Sequence, residues 1–346
     1  MITGDSPVTA RAIGDELGLN ADNTLTGAQL DEMTPDELAD AAERSDIFAR
    51  TSPANKLQLV QALQSRGHIV SMTGDGVNDA PALKTADIGV AMGKKGTDAA
   101  KEASDIVLTD DNFSTIAKAV EEGRTVYDNI VKSILFILPT NLAEALVIVF
   151  AILTGRMLPI TPAQILWVNM VTAITLALAL AFECAEGSVM QRPPRAQNQG
   201  LITQTLLIRL IMVGAGTAFL VFWQFSHYRN TGAGLELART MAVNTLVMIE
   251  AVYLLNCRSL THSVFSPRQL QNLLPTFAAI VGVLCIQIVF TYLPVSQQAF
   301  EVTSLTWGDW LNVLFFSLPM VFFVEAERIL QTRLRLGTRI KNRHPG

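Results

Sequence analysis

Asp75, Asn78 and Asp79 crowd one glycine-rich turn in the stretch "SMTGDGVNDAPALKTADIGVAMG", residues 71–93, directly after the apolar run Ile69-Val70-Ser71-Met72. Carboxylates and an amide on such a turn suit a hard cation, because Mg²⁺ takes a few carboxylate oxygens and fills its shell with water and phosphate. Phosphoryl transfer is the natural use of that chemistry. Lys56, on the helix expected before this run, would then bring positive charge to the phosphoryl oxygens. Taken singly, the same residues also describe an ordinary polar turn and a solvated helix lysine. A second polar group lies in apolar surroundings. In "LPTNLAEALVIV", Asn141 and Glu144 are three apart and share a helix face, and Pro139 lacks an N–H and so frees a nearby carbonyl. "ILWVNMVTAITLALALAFE" repeats the spacing with Asn169 and Thr172, and "LVMIEAVYLLN" places Glu250 deep in a further apolar run. A carboxylate at bilayer depth is costly and is usually paired or functional. These residues therefore read as an ion site, although Thr172 equally fits a helix–helix hydrogen bond.

The elements that position these residues fall into two regions. The 346 residues are 50% hydrophobic and 16% charged, and the mean hydropathy is positive, which excludes an ordinary soluble domain of this length. Charge concentrates in residues 1–128, while long apolar runs begin at Ile130. No signal peptide is recognisable in Met1-Ile2-Thr3-Gly4-Asp5, so the first region is expected to stay cytoplasmic. Cys184, Cys257 and Cys285 show no metal-ligand spacing, and no nucleic-acid signature is present.

Residues 1–128 alternate helices with short buried strands, the pattern of an α/β layer with a mainly parallel sheet. Ser6-Pro7 and Ser52-Pro53 each offer a hydroxyl cap followed by a proline at the first helical position, with stops at Gly18 and Gly67. Strands are expected at 69–72, 87–91 and 105–108. The Asp75 turn then lies beyond the carboxyl end of a strand, where such sheets gather ligands. From 129 to 346, apolar windows of bilayer-spanning length occur at about 130–154, 163–183, 205–226, 239–257, 272–293 and 308–327. Arg192 and Arg195 mark the second connection, Arg258 and Arg268 the fourth, and Arg328, Arg333, Arg335, Arg339, Lys341 and Arg343 the tail. These basic segments are expected on the cytoplasmic side with both termini, although Arg156, Arg229 and Arg239 soften the contrast.

"MITGDSPVTARAI", "FARTSPANKLQLVQAL" and "TGDGVNDAPALKTADIGVAMG", in that order, resemble the phosphorylation domain of P-type cation-transporting ATPases, a haloacid-dehalogenase-like fold. The resemblance implies Asp75 as the Mg²⁺ ligand, Asn78 and Asp79 as supports of the metal and phosphate site, and Lys56 as a contact of the aspartyl phosphate. Thr3, Gly4 and Asp5 would line the same pocket. The apolar segments are similar to the fifth, sixth and eighth membrane helices of type II members, which include calcium and sodium-potassium pumps. Asn141, Glu144, Asn169, Thr172 and Glu250 match their cation-coordinating positions. Those pumps place an Asp after the threonine of "WVNLVTD", whereas Ala173 follows Thr172 here. The loss of a carboxylate implies one Ca²⁺ or a monovalent ion rather than a two-calcium site. Glu183 and Glu186 are expected to face water or a loop.

Family members use the Asp of a DKTGT sequence as nucleophile, and these 346 residues contain no DKTGT. The chain is therefore expected to be the carboxyl-terminal part of an ATP-driven cation pump, inactive alone, with ATP bound mainly by parts it lacks. The helix from about Asn112 into the first span would carry movement between the two sites. Its partners would be the transported cation, the lipid bilayer of a bacterial inner membrane, and the amino-terminal part of the pump. Two rival readings remain: a non-catalytic membrane partner of a complete pump, and a passive six-span cation channel.

Overall fold

The structure, a computed structural model, describes residues 1–195, 200–201, 203–259, 263–266 and 273–329. Arg268, the tail residues Arg333, Arg335, Arg339, Lys341 and Arg343, and the first residue of the expected fifth span lie outside the described residues. Two compact units divide between Val120 and Glu121.

The first unit is the α/β layer expected from the sequence. Its elements are α1 (Pro7–Glu16), β1 (Thr24–Thr26), α2 (Gly27–Asp31), α3 (Pro35–Arg44), β2 (Ile47–Ala49), α4 (Pro53–Ser65), β3 (Ser71–Gly74), α5 (Ala80–Thr85), β4 (Ile88–Met92), α6 (Asp98–Ala103) and β5 (Ile106–Leu108). The Ser6 and Ser52 hydroxyls accept from the Thr9 and Asn55 amides, so each supplies one of the partners a helix amino terminus lacks. Gly18 and Gly67 follow α1 and α4 at φ +72° and +83°, a left-handed conformation that costs other residues a Cβ clash. Every strand pair is parallel: β1 with β2, and β3–β4–β5 in that order. The three expected strands are thus present, with β3 shifted to begin at Ser71. β1 and β2 had no readable signal, being three residues each, and Ile47, Phe48 and Ala49 are all buried, leaving no alternation to detect.

The second unit is helical. Its helices are α7 (Ser114–Leu153, whose residues up to Val120 belong to the first unit), α8 (Pro162–Thr172), α9 (Leu178–Ala181), α10 (Gln204–Asn230), α11 (Leu235–Cys257), α12 (Leu273–Tyr292), α13 (Pro294–Phe300) and α14 (Trp307–Ser317). Among the described residues, six segments are long and apolar enough to cross a membrane: Ser114–Leu153, Pro162–Ala181, Leu206–Asn230, Leu235–Cys257, Leu273–Tyr292 and Trp307–Ile329. The second is not a regular α-helix, because a π-helical turn, Ala173–Ala177, separates α8 from α9. Such turns insert an extra residue and concentrate at functional sites. α11 is the central helix, with 83% of its apolar window buried against 22% for the windows of α12 and of Trp307–Ile329.

Lipid is as apolar as leucine, so polar contacts and close packing hold such helices together. Arg209 of α10 donates from Nε and Nη2 to Glu327 Oε2 at 2.9 and 2.7 Å, and both side chains are buried. Gln164 of α8 donates to the Phe300 carbonyl at 2.7 Å. Glu327→Ala should destabilise the bundle by about 3–5 kcal/mol, because it strands the Arg209 charge, whereas the pair Arg209→Met with Glu327→Leu should recover most of that loss. Thermal unfolding of the three variants in one detergent checks this.

Candidate functional site

In the first unit the site forms where β3 ends. The chain turns at Gly74, Asp75 and Gly76 into a short 3₁₀ turn, Val77–Asp79, and then into α5. The Asp79 carboxylate folds back over this turn, with Oδ2 accepting from the Asp75 and Gly76 amides at 3.2 Å each. Gly74 makes room for it, since a Cβ there would lie 2.5 Å from that of Asp79. Lys56, on α4, donates to Asp79 Oδ1 at 2.6 Å. Burial alone would raise the Asp79 carboxyl, but the Lys56 ammonium and the two amides outweigh it and hold it below the usual carboxylate range.

Asp75 and Asn78 are exposed, and neither side chain is hydrogen-bonded among the described residues. The Asp75 carbonyl instead accepts from the Thr97 amide at 2.8 Å, which fixes the backbone beneath its carboxylate. Among the described residues no three His, Cys, Asp or Glu side chains form a metal cage. Mg²⁺ needs none, because one or two carboxylates with water and phosphate suffice. Asp75 and Asn78 fit that demand, while Asp79 is already committed to Lys56.

Thr3, Gly4 and Asp5 form a separate cluster. Thr3 Oγ1 donates to Asp5 Oδ2 at 3.0 Å, the Arg50 amide donates to the Asp5 carbonyl at 3.0 Å, and the Thr51 amide to the Thr3 carbonyl at 3.2 Å. Arg50 takes a left-handed φ of +48° beside them, a conformation that costs a non-glycine residue free energy. No hydrogen bond joins this cluster to Lys56 or Asp79 among the described residues.

In the second unit, Glu144 of α7 is buried and its Oε2 accepts from Asn169 Nδ2 of α8 at 2.7 Å. Its Oε1 is buried with no hydrogen-bond partner, as is Oε2 of Glu250 on α11. Thr172 and Glu144 both lie close enough to interact with Glu250, and the Thr172 hydroxyl donates back to the Val168 carbonyl at 2.9 Å. Four of the five expected residues therefore gather. Asn141 does not: it is exposed, while Glu144 one turn on is buried. The carbonyl freed by Pro139 is not an open ligand either, because the Leu135 oxygen, four residues earlier, accepts from Tyr253 Oη at 2.8 Å.

Of the two surroundings expected for Glu183 and Glu186, water or a loop, the loop is the one found, since both meet the Arg258–Ser259 segment. They do not face open water: Glu183 Oε1 accepts from Arg258 Nε at 2.5 Å and from the Thr276 hydroxyl at 3.0 Å. Glu186 Oε1 accepts from Ser259 at 3.0 Å and lies 3.7 Å from the ammonium of Lys132, which is 1% exposed. α7 holds the same loop from its own side. Asn129 Nδ2 donates to the Ala181 and Glu183 carbonyls at 3.3 and 2.7 Å, Arg124 Nη1 to the Val189 and Arg192 carbonyls at 2.9 Å each, and Asp128 pairs with Arg192. Lys132, Asp128 and Asn129 escaped the sequence reading. The one available signal was the run of polar side chains entering an apolar helix.

An α/β unit with a carboxylate turn at the end of a parallel sheet, followed by membrane-capable helices around buried carboxylates, defines a haloacid-dehalogenase-like domain joined to a membrane bundle. The comparisons agree. The family described as haloacid dehalogenase-like hydrolase matches residues 1–87, and that described as cation transporting ATPase, C-terminus, matches residues 157–330. The chain belongs to the cation-transporting ATPase family. It is 47% identical over 340 residues to a Mycobacterium tuberculosis protein assigned as cation-transporting ATPase F, covering 95% of this chain and 37% of that one. It is 46% identical over 329 residues to cation-transporting ATPase pma1 of Synechocystis, covering 93% and 36%. To a calcium-transporting ATPase of Bacillus subtilis it is 43% identical over 337 residues, covering 96% and 38%. The chain thus spans little more than a third of the length of these relatives.

A carboxylate held below its ordinary value stabilises the fold at neutral pH, and that contribution is lost as the pH falls through the lowered value. Lys56→Met removes the cation that holds Asp79 down, so Asp79 should protonate at higher pH and acid unfolding of the first unit should begin earlier. Circular dichroism during acid titration of both proteins tests this; superimposable acid limbs would refute it.

Proposed function

We propose that this chain is the carboxyl-terminal part of an ATP-driven cation pump, in which making and breaking an aspartyl phosphate in the cytoplasm drives a cation through the membrane bundle. The observation that carries this reading is the pair of buried, unpartnered carboxylate oxygens, Glu144 Oε1 and Glu250 Oε2, contributed by two different helices beside Asn169 and Thr172. Two acidic side chains left without full partners in such a place are too costly to be incidental. Two carboxylates balance one Ca²⁺, and one carboxylate with one carboxylic acid balances a monovalent cation. The absence of an acidic residue after Thr172 argues against a second calcium. The calcium-transporting relative in Bacillus subtilis supports the divalent choice.

In the first unit, Asp75 and Asn78 would hold Mg²⁺, which when bound neutralises charge on the phosphoryl group. Lys56, placed by Asp79, supplies a positive charge to the phosphoryl oxygens. Thr3, Gly4 and Asp5 line the phosphate side. The nucleophilic Asp and most of the ATP contacts come from parts of the pump outside these 346 residues. Residues 1–128 serve phosphorylation and 129–346 transport, with α7 as the element that carries movement between them. The basic residues of the even-numbered connections support a cytoplasmic position for both ends of this chain, and the bacterial relatives support an inner-membrane location.

Two substitutions in the complete pump test the two sites separately. Asp75→Asn should lower phosphoenzyme formation by at least about tenfold, the scale of losing a metal-site interaction, and leave cation affinity intact. Glu144→Gln should raise the cation concentration needed for half-maximal ATP hydrolysis by about tenfold or more, the scale of losing a charged hydrogen-bonding group. Unchanged cation affinity in Glu144→Gln would place the transport site elsewhere.

A further inference from the structure

Pro139 stands inside α7 and cannot donate to the Leu135 carbonyl, four residues earlier. Within a membrane, water is not at hand to replace that donor, so another group must supply it. The replacement comes from a different helix. Tyr253 of α11 is fully buried, its Oη donates to the Leu135 oxygen at 2.8 Å, and its ring stacks on Phe136 with centroids 6.1 Å apart and planes at 19°. Hydroxyl and ring thus grip neighbouring residues of one α7 turn. No other hydrogen bond joins α7 to α11 among the described residues.

The two ends of this bond sit close to the carboxylates in sequence. Tyr253 is one helical turn beyond Glu250, and Pro139 precedes Glu144 by little more than a turn. The carboxylates themselves do not tie the helices together, because Glu144 is bonded to Asn169 on α8 and Glu250 Oε2 has no partner. We infer that Tyr253 is a positioning residue of the cation site: its hydroxyl, seated on the carbonyl that Pro139 leaves open, sets the spacing of Glu250 from Glu144. This rests on the reading of those carboxylates as cation ligands. Proline and tyrosine work as one device, in which the proline creates an acceptor that a main-chain amide would otherwise fill.

The test is a double-mutant cycle in the complete pump, read as cation-dependent ATP hydrolysis. Tyr253→Phe keeps the ring and loses the hydroxyl. It should raise the half-maximal cation concentration about threefold to tenfold, the scale of one hydrogen bond, and leave the maximal rate within about twofold. Pro139→Ala restores a main-chain donor to the Leu135 carbonyl, so adding Tyr253→Phe to it should change cation affinity by less than about twofold. Equal penalties in the two backgrounds, or no penalty beside Pro139, overturn the inference. Glu144→Gln separates the failures: if it weakens cation affinity and Tyr253→Phe does not, only the tyrosine's role falls; if neither does, the cation-site reading falls and this inference with it. Should Pro139→Ala not fold, infrared spectra of protein carrying ¹³C-carbonyl leucine give the same answer. Loss of the hydroxyl should shift one leucine carbonyl band to higher frequency, and identical spectra refute the bond.

Discussion

The interior of a bilayer offers no solvent to complete the hydrogen bonds of a buried polar group, and much of the bundle's architecture answers to that constraint. Arg209 is matched by Glu327, the carbonyl opened by Pro139 by Tyr253, and the Gln164 amide by the Phe300 carbonyl. Thr291 donates to Asn244, and Tyr228 to Asp309. Among the described residues, the buried carboxyl oxygens left without a partner are those of Glu144 and Glu250, on α7 and on the most deeply buried helix, with neutral polar atoms of Gln224, Thr245, Asn256 and Gln287 also unpartnered. Under the proposed function, a cation from outside would supply the neutralisation that the bundle does not give these two oxygens.

The first unit treats its carboxylates in the opposite way. Asp79 is saturated by Lys56 and two amides, and this saturation makes it a scaffold: it pins the lysine, closes the turn after β3, and leaves Asp75 alone at the surface. A parallel sheet leads naturally to this outcome, since the carboxyl ends of its strands share one edge and the turn there is free to be spent on ligands. One unit leaves the Asp75 carboxylate in water, and the other withholds Glu144 and Glu250 from it.

Much of this was legible in the sequence because it is written in local rules. Ser-Pro pairs announced α1 and α4, apolar windows announced the six membrane-capable segments, and the crowding of Asp75, Asn78 and Asp79 announced the polar turn that closes β3. What escaped depends on contacts between residues far apart in the chain. Lys56 was legible as a cation near the site, but its bond to Asp79 rather than to solvent was not. Glu183 and Glu186 read as loop residues because their partners, Arg258, Thr276, Ser259 and Lys132, lie in other segments. Pro139 gave away the open carbonyl but not the tyrosine that fills it, more than a hundred residues on. The exposure of Asn141 could not be read from spacing, since residues three apart on a helix share a face only approximately. The π-helical turn after Thr172 has no compositional mark in its Ala-Ile-Thr-Leu-Ala sequence.

Two residues of α7 hold the loop after α9 through its main chain rather than its side chains. Arg124 and Asn129 do not read the loop's side chains; they hold the main-chain carbonyls of Ala181, Glu183, Val189 and Arg192. Every residue type carries that acceptor, so at Ala181, whose side chain is exposed, the sequence is free to drift without loss of the contact, whereas Val189 is also buried and held by its packing. The burden of constancy falls on the helix. A related protein with a quite different loop, but with the same arginine and asparagine on this helix, is expected to dock it in the same place.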